Sequence, residues 1–154
     1  AILARERHDF EVWITHDDAR INSDSVKAIG WRSHEDLHEV YAKSDICVVP
    51  SIWQEPFGMV APEAMATGRP VVASKVGGLT TSVVDGETGF HVPPADPAAL
   101  AVKLRVLLDD PSLRARMGRA GRARVEKQFT WDTVAKQYYP PLLDNDNILG
   151  SHAR

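Results

Sequence analysis

The amino-acid sequence predicts an α/β fold, a doubly wound parallel sheet, on three observations. Short apolar or alternating runs recur between stretches of helical periodicity. The connections are short and rich in Gly and Pro. The runs over residues 46–50 and 70–74 are apolar nearly throughout, as strands covered on both faces of a parallel sheet are. With 154 residues, 44% of them hydrophobic and 25% charged, the chain has the size of one domain with a real core.

Residues 1–7 read as the tail of a helix. Residues 10–15 alternate and then turn β-rich, predicting a strand closed by His16, Asp17 and Asp18. A polar stretch leads into a second short strand over 26–31, ending at Gly30. Ser33, with Asp36 three residues on, caps a helix whose Leu37, Val40 and Tyr41 share one face. The apolar run 46–50 is then expected to be the central strand. A short helix through Glu63 and Ala66 stops at Gly68, where a residue without Cβ takes the left-handed cap. Residues 70–74 form the next buried strand, Gly77 and Gly78 open a loop, and a short helix is expected over 80–84. A turn cluster over 85–89 precedes a last strand at 90–92. Asp96 caps and Pro97 opens a helix striped by Leu100, Leu104, Leu107 and Leu108, which ends before Pro111. Leu113, Met117 and Ala120 line the next helix, and Trp131, Val134 and Tyr138 the last, which Pro140 ends. Residues 1–142 thus form the expected domain and 143–154 a polar tail.

The formal charge of −3 gives no global basic field, so a nucleic-acid partner is not expected. Cys47 is the single cysteine; it sits in an apolar run, reads as a small buried hydrophobe, and suits a reducing compartment. No stretch reaches the ~20 apolar residues of a membrane span, and the N-terminus carries no signal pattern, so a cytoplasmic location is expected. Arg114, Arg116, Arg119, Arg122, Arg124 and Lys127 load one helix with charge. Peripheral contact with an anionic membrane is one reading. A solvated face is the plainer one, because the charges point several ways and Gly118 and Gly121 weaken the helix. His34 and His38 have a metal-ligand spacing but no partner cluster, so no metal site is expected.

Doubly wound sheets bind ligands beyond the carboxyl ends of their strands, here the loops after Trp31, Pro50, Ser74 and Val92. In the second of these loops Glu55 and Glu63 bracket Gly58. Pro62 lacks an N–H and is tolerated only in a first helical turn, so the helix should begin close to Gly58. Its free amides then lie around Met59 and Val60 and suit an anion. Glu63 can accept hydrogen bonds from a vicinal diol such as a ribose. The competing reading is that Glu63 merely complements the helix N-terminus while Glu55 pairs with a surface arginine. Trp53 and Phe57 are either walls of that site or ordinary core, and Lys75 either meets an anion or is plain surface.

The pattern as a whole resembles a known family. Pro50-Ser51-x-x-x-Glu55-Pro56-Phe57-Gly58, then Glu63, Gly68-x-Pro70-Val71-Val72-Ala73-Ser74, Val76-Gly77-Gly78 and Asp85-Gly86-x-Thr88-Gly89 make residues 30–139 similar to the C-terminal domain of the retaining two-domain glycosyltransferases. That group 1, family 4 type includes sucrose-phosphate, glycogen and trehalose synthases and cell-envelope mannosyl- and glucosyltransferases. The resemblance implies a Rossmann-like domain of the GT-B fold that transfers a hexose from a nucleoside diphosphate sugar to a saccharide, lipid or polyol acceptor. It implies that Glu55 is catalytic, lying against the donor sugar, and that Glu63 holds the ribose. Phe57, Gly58, Met59 and Val60 would touch sugar and diphosphate, and Trp31 and Arg32 would lie near the base. Neither cofactor nor metal is implied, and transfer would proceed with retention as the leaving diphosphate helps deprotonate the acceptor.

The sequence departs from the family at its start. The opening strand, and the loop whose arginine and lysine clamp the diphosphate, have no counterpart. In the family's strand order that strand lies between the Val12 strand and the Val48 strand. The chain is therefore expected to be an N-terminally truncated fragment, inactive alone, whose partner is an acceptor-binding N-terminal domain or a missing segment. Thr80-Thr81 and Thr15-His16-Asp17 also depart from the family and bear on donor choice. The alternative class is a noncatalytic sugar-nucleotide or partner-binding module. A phosphorylase would need a pyridoxal-binding lysine pattern that the sequence does not show.

Overall fold

The computed structural model describes residues 2–15 and 23–138. The expectations for His16 to Asp18, for Pro140, for the side chain of Tyr138 and for the 143–154 tail lie outside what it describes. The expected helix tail at the start is a single 3-10 turn, Leu3–Arg5. There follow β1 (Val12–Ile14), β2 (Val26–Ala28), α1 (His34–Lys43), β3 (Cys47–Val49), α2 (Val60–Ala66), β4 (Val71–Ser74), α3 (Leu79–Ser82), β5 (Gly89–Val92), α4 (Pro97–Asp109), α5 (Pro111–Gln128) and α6 (Trp131–Tyr138).

Capping chemistry starts the longer helices, at Ser33 and Asp96 as the sequence predicts and also at Asp110, which it did not single out. Ser33 Oγ accepts from the Asp36 amide at 3.1 Å. Asp96 and Asp110 each accept at 2.8 Å, from the Ala99 and Leu113 amides, with Pro97 and Pro111 in the following position.

Every ladder is parallel, but the strands form two sheets. β1 pairs with β2, Val12 opposite Val26. β4 lies between β3 and β5, with Val72 opposite both Val48 and Phe90. The division falls between the Val12 strand and the Val48 strand, and no described strand bridges it. The expectation that residues 46–50 supply the central strand is thereby corrected. β3 has a hydrogen-bonded neighbour on one side only, and of its residues only Val49 is buried, whereas all four residues of β4 are.

β4 divides the core by its period of two. Val71 and Ala73 join Tyr41, Ala61, Ala64, Met65, Leu79 and Val83 on one face. Val72 packs on the other with Val92, Leu107 and Met117. α5 reaches both clusters, through Met117 and through Val125 and Phe129.

The glycines of α5 are not the weakness that helix propensity alone suggests. Both are buried, and a Cβ on Gly118 would stand 1.9 Å from the carbonyl oxygen of Gly68. Their small size lets α5 lie directly against α2 and the turn that follows it. Trp131 corrects a second expectation. α6 packs on α5, and its first residue stays outside that seam, 85% exposed.

Candidate functional site

The carboxyl ends of the three-stranded sheet converge as expected. Pro50, Ser74 and Val92, one from the end of each strand, line a common cavity of about 180 Å³ with Ala95 and Asp96. The loop after Trp31 does not line this cavity, but it leads to His34, which lies 3.9 Å from Glu63. A larger concavity, about 610 Å³, lies among Glu6, Arg7, His8, Asp9 and Arg105, and neither cavity is lined by Glu55, Glu63 or the other candidate residues. The walls of the larger one include ion pairs that already satisfy one another, Arg7 with Asp9 and Arg105 with Glu6.

Glu55 stands in the loop between β3 and α2, half-buried. Its Oε1 accepts a 2.7 Å hydrogen bond from Ser51 Oγ, and Ser51 is itself buried. No arginine pairs with Glu55 among the described residues, so the surface-pair reading is not what the structure shows. The backbone around it is fastened to the loop after β4. The Gly78 amide donates to the Glu55 carbonyl at 2.7 Å, and the Gly77 amide to Gln54 Oε1 at 2.8 Å. The fit is so close that a Cβ on Gly78 would stand 2.4 Å from Phe57 Cα.

Glu63 lies in the first turn of α2 with its side chain 23% exposed. One carboxylate oxygen accepts from Tyr41 Oη at 3.2 Å, and the other is 3.9 Å from Nδ1 of His34, the first residue of α1. Burial first, then the charge of Glu63, pushes the Tyr41 hydroxyl well above its ordinary range, so Tyr41 remains a donor. Burial likewise pushes the Cys47 thiol up to about 12, which makes it the inert apolar residue the sequence suggests.

Between the carboxylates, α2 starts without a side-chain cap at Met59. The Ala61 and Glu63 amides donate back to the Gly58 and Met59 carbonyls, while the Met59 and Val60 amides have no partner among the described bonds. Met59 and Val60 are 54% and 41% exposed, and Trp31 and Trp53 more so. Arg32 is exposed as well. Phe57 meets Phe129 edge-on, ring centroids 5.5 Å apart. Of the two aromatic residues whose role the sequence left open, Phe57 is half-buried and Trp53 is exposed. Lys75 is exposed.

The sequence reading named the carboxylates and missed the groups that hold them. Ser51 was quoted only as part of a motif, and Tyr41 only as a core position. A tyrosine on a core-facing stripe needs a partner for its hydroxyl, which is the one signal that pointed to Glu63. Gln54, Arg124 and Phe129 carried no such signal.

With this geometry in place, comparison with known proteins is decisive. A family model described as glycosyl transferases group 1 matches residues 7–124. The chain belongs to that family. It is 52% identical over 101 residues to D-inositol 3-phosphate glycosyltransferase of Streptomyces avermitilis, covering 66% of this chain and 21% of that one. Among solved structures it is similar to sucrose-phosphate synthase from Thermosynechococcus elongatus (TM-score 0.71, 47% identity, 74% of this chain and 28% of the other). It is also similar to Anabaena HepE in complex with UDP-glucose (TM-score 0.72, 32% identity, 78% and 32%). The fold is that of one domain of a GT-B glycosyltransferase. The chain spans between 21% and 32% of the length of these relatives.

Proposed function

We propose that this group 1 glycosyltransferase domain is the donor-binding part of a retaining enzyme that transfers a hexose from a nucleoside diphosphate sugar to a saccharide, lipid or polyol acceptor. One observation carries the reading: two carboxylates, Glu55 and Glu63, are held by separate hydroxyl donors, Ser51 and Tyr41, on either side of the uncapped start of α2. A carboxylate held by one donor keeps acceptor capacity for sugar hydroxyls. Glu63 receives the ribose diol, and Glu55 lies against the donor sugar. Phe57, Gly58, Met59 and Val60 run beside sugar and diphosphate, with Trp31 and Arg32 toward the base. HepE, solved with UDP-glucose, supports a donor of this class.

The chemistry is charge stabilisation. The leaving diphosphate gathers charge as the glycosidic bond breaks, takes up the acceptor's proton on the same face, and so returns a product of retained configuration. The acceptor site and the cationic groups that complete the diphosphate clamp belong to sequence outside this segment, so the segment alone binds nucleotide weakly and turns over nothing.

The test assays the complete polypeptide containing this segment with uridine, guanosine and adenosine diphosphate sugars. Transfer with retention is expected from one of them, and Glu55→Gln should lower kcat by about 10²–10³. A Glu55→Gln protein of full activity removes Glu55 from its role. Donor binding without transfer to any acceptor makes the protein a sugar-nucleotide-binding module instead.

A further inference from the structure

The last turns of α5 reach the candidate site from behind. Arg124 donates from Nη2 to the Thr81 carbonyl at 2.7 Å and from Nε to the Ser82 carbonyl at 3.1 Å. These are the final carbonyls of α3, a helix of four residues. So short a helix has no stability of its own, and its terminal carbonyls are orphans unless something outside the helix caps them. A guanidinium is suited to that, because its planar fork meets two adjacent oxygens at once.

The other end of α3 begins at Gly77 and Gly78, whose amides hold Gln54 and the backbone of Glu55. α3 is thus a short strut with Arg124 at one end and the Glu55 loop at the other. A second link runs parallel to it: the Arg124 guanidinium lies 5.3 Å from the centre of the Phe129 ring, and Phe129 meets Phe57 edge-on. The Glu63 carboxylate is held by other groups, Tyr41 and His34 of α1.

We propose that Arg124 is a positioning residue for Glu55: by capping α3 and seating Phe129 against Phe57 it fixes the loop that presents the sugar-reading carboxylate, while the ribose-reading Glu63 is held separately by Tyr41 and His34 of α1. This rests on the proposed function, and the test separates the two. The complete polypeptide is titrated calorimetrically with the matched pairs UDP and UDP-glucose, GDP and GDP-mannose, ADP and ADP-glucose, and the pair that the wild type binds is carried forward. Arg124→Met is expected to weaken the sugar nucleotide and lower kcat, each by about tenfold, the scale of losing hydrogen bonds from a charged donor. Affinity for the free nucleoside diphosphate should fall clearly less, by about twofold, since Glu63 and its partners on α1 do not depend on the strut. Arg124→Lys should recover part of the loss, because an ammonium reaches one carbonyl where the fork reaches two. Arg122→Met, which breaks only an exposed pair with Glu126, should change neither affinity. If Arg124→Met does not fold by circular dichroism, Phe129→Leu and Arg124→Lys carry the comparison and should show the same sugar-selective loss. Equal weakening of both ligands, or no weakening of the sugar nucleotide, overturns the positioning role. A wild type that binds none of the pairs overturns the proposed function itself.

Discussion

The two parallel sheets share strand type and ladder geometry but are held by different forces. In the three-stranded sheet Val71, Val72 and Ala73 are wholly buried between two apolar clusters. In the two-stranded sheet Val12 and Trp13 remain 40% and 37% exposed. The segment leading into β1 is tied to α4 by ion pairs, Arg7 with Asp109 and Glu6 with Arg105. Fully burying one large aliphatic side chain is worth about 1.5–3 kcal/mol, and an exposed ion pair about 0–1 kcal/mol. The β1 segment Val-Trp-Ile is as apolar as the β3 segment Cys-Val-Val, so composition does not separate the sheets. What separates them is the layer laid over each face. The loops of the candidate site are rooted in the sheet that has both layers.

The most forceful challenge to this contrast is truncation of a side chain on each side of it. Met65, fully buried against β4 and α5, should cost about 2–5 kcal/mol on Met65→Ala. Val12→Ala in β1 should cost about 1 kcal/mol or less, its methyl groups being partly in water already. Urea unfolding monitored by circular dichroism measures both, and equal costs would dissolve the contrast. Gly118→Ala comes next, at about 1–3 kcal/mol, because the added methyl meets a backbone carbonyl that has no rotamer to move to. A neutral Gly118→Ala would mean that α5 is free to lift from α2.

Amide exchange sharpens the same contrast without mutation. The β4 amides of Val72 and Ala73 should exchange only through global unfolding. Those of β1 and β2 should exchange through local opening, faster by orders of magnitude. Uniform protection across both sheets would show a single cooperative unit.

What the sequence disclosed and what it hid divide along contact range. Helix starts were legible because Ser33 and Asp96 act on amides three residues away. The carboxylate pair was legible because Glu55, Gly58 and Glu63 lie within one loop and one helical turn. Tyr41 and Glu63 are 22 residues apart, and Arg124 and Ser82 are 42 apart, so no local period reports either contact. Propensity also misread α5. A glycine in a helix costs about 1 kcal/mol by itself, yet at Gly118 it permits the seam with α2. Two cations of the same helix are turned inward as caps: Arg124 on α3, and Arg114 on the Leu107 and Leu108 carbonyls of α4. The misplacement of β3 has the same root, since which strand is central depends on neighbours, and an apolar run records only that it is fit for burial.

The smallest effect is expected where the two-stranded region is tied by charge. Arg7 grips Asp9 through two 2.7 Å bonds and Asp109 through one of 2.6 Å. The hydrogen bonds from Arg7 lower the Asp9 carboxyl from its ordinary 3.8 to about 2. A carboxylate whose folded pKa is depressed contributes stability that is complete above the unfolded value and disappears as pH falls through the folded one, so the tie should weaken between roughly pH 4 and pH 2. Because these groups face solvent, 1 M NaCl should also weaken it at neutral pH, where the screening length shrinks to about 3 Å. Nuclear magnetic resonance of the Val12 and Ile14 amides, against that of Val72, measures both. Protection in β1 should fall modestly under acid and under salt while β4 holds, and Arg7→Gln should remove the acid dependence and reduce the salt dependence, of which the Glu6–Arg105 pair keeps a part. If salt and acid loosen β4 and β1 together, the charged tie is holding the whole domain and the division between the sheets is one of exposure, not of force.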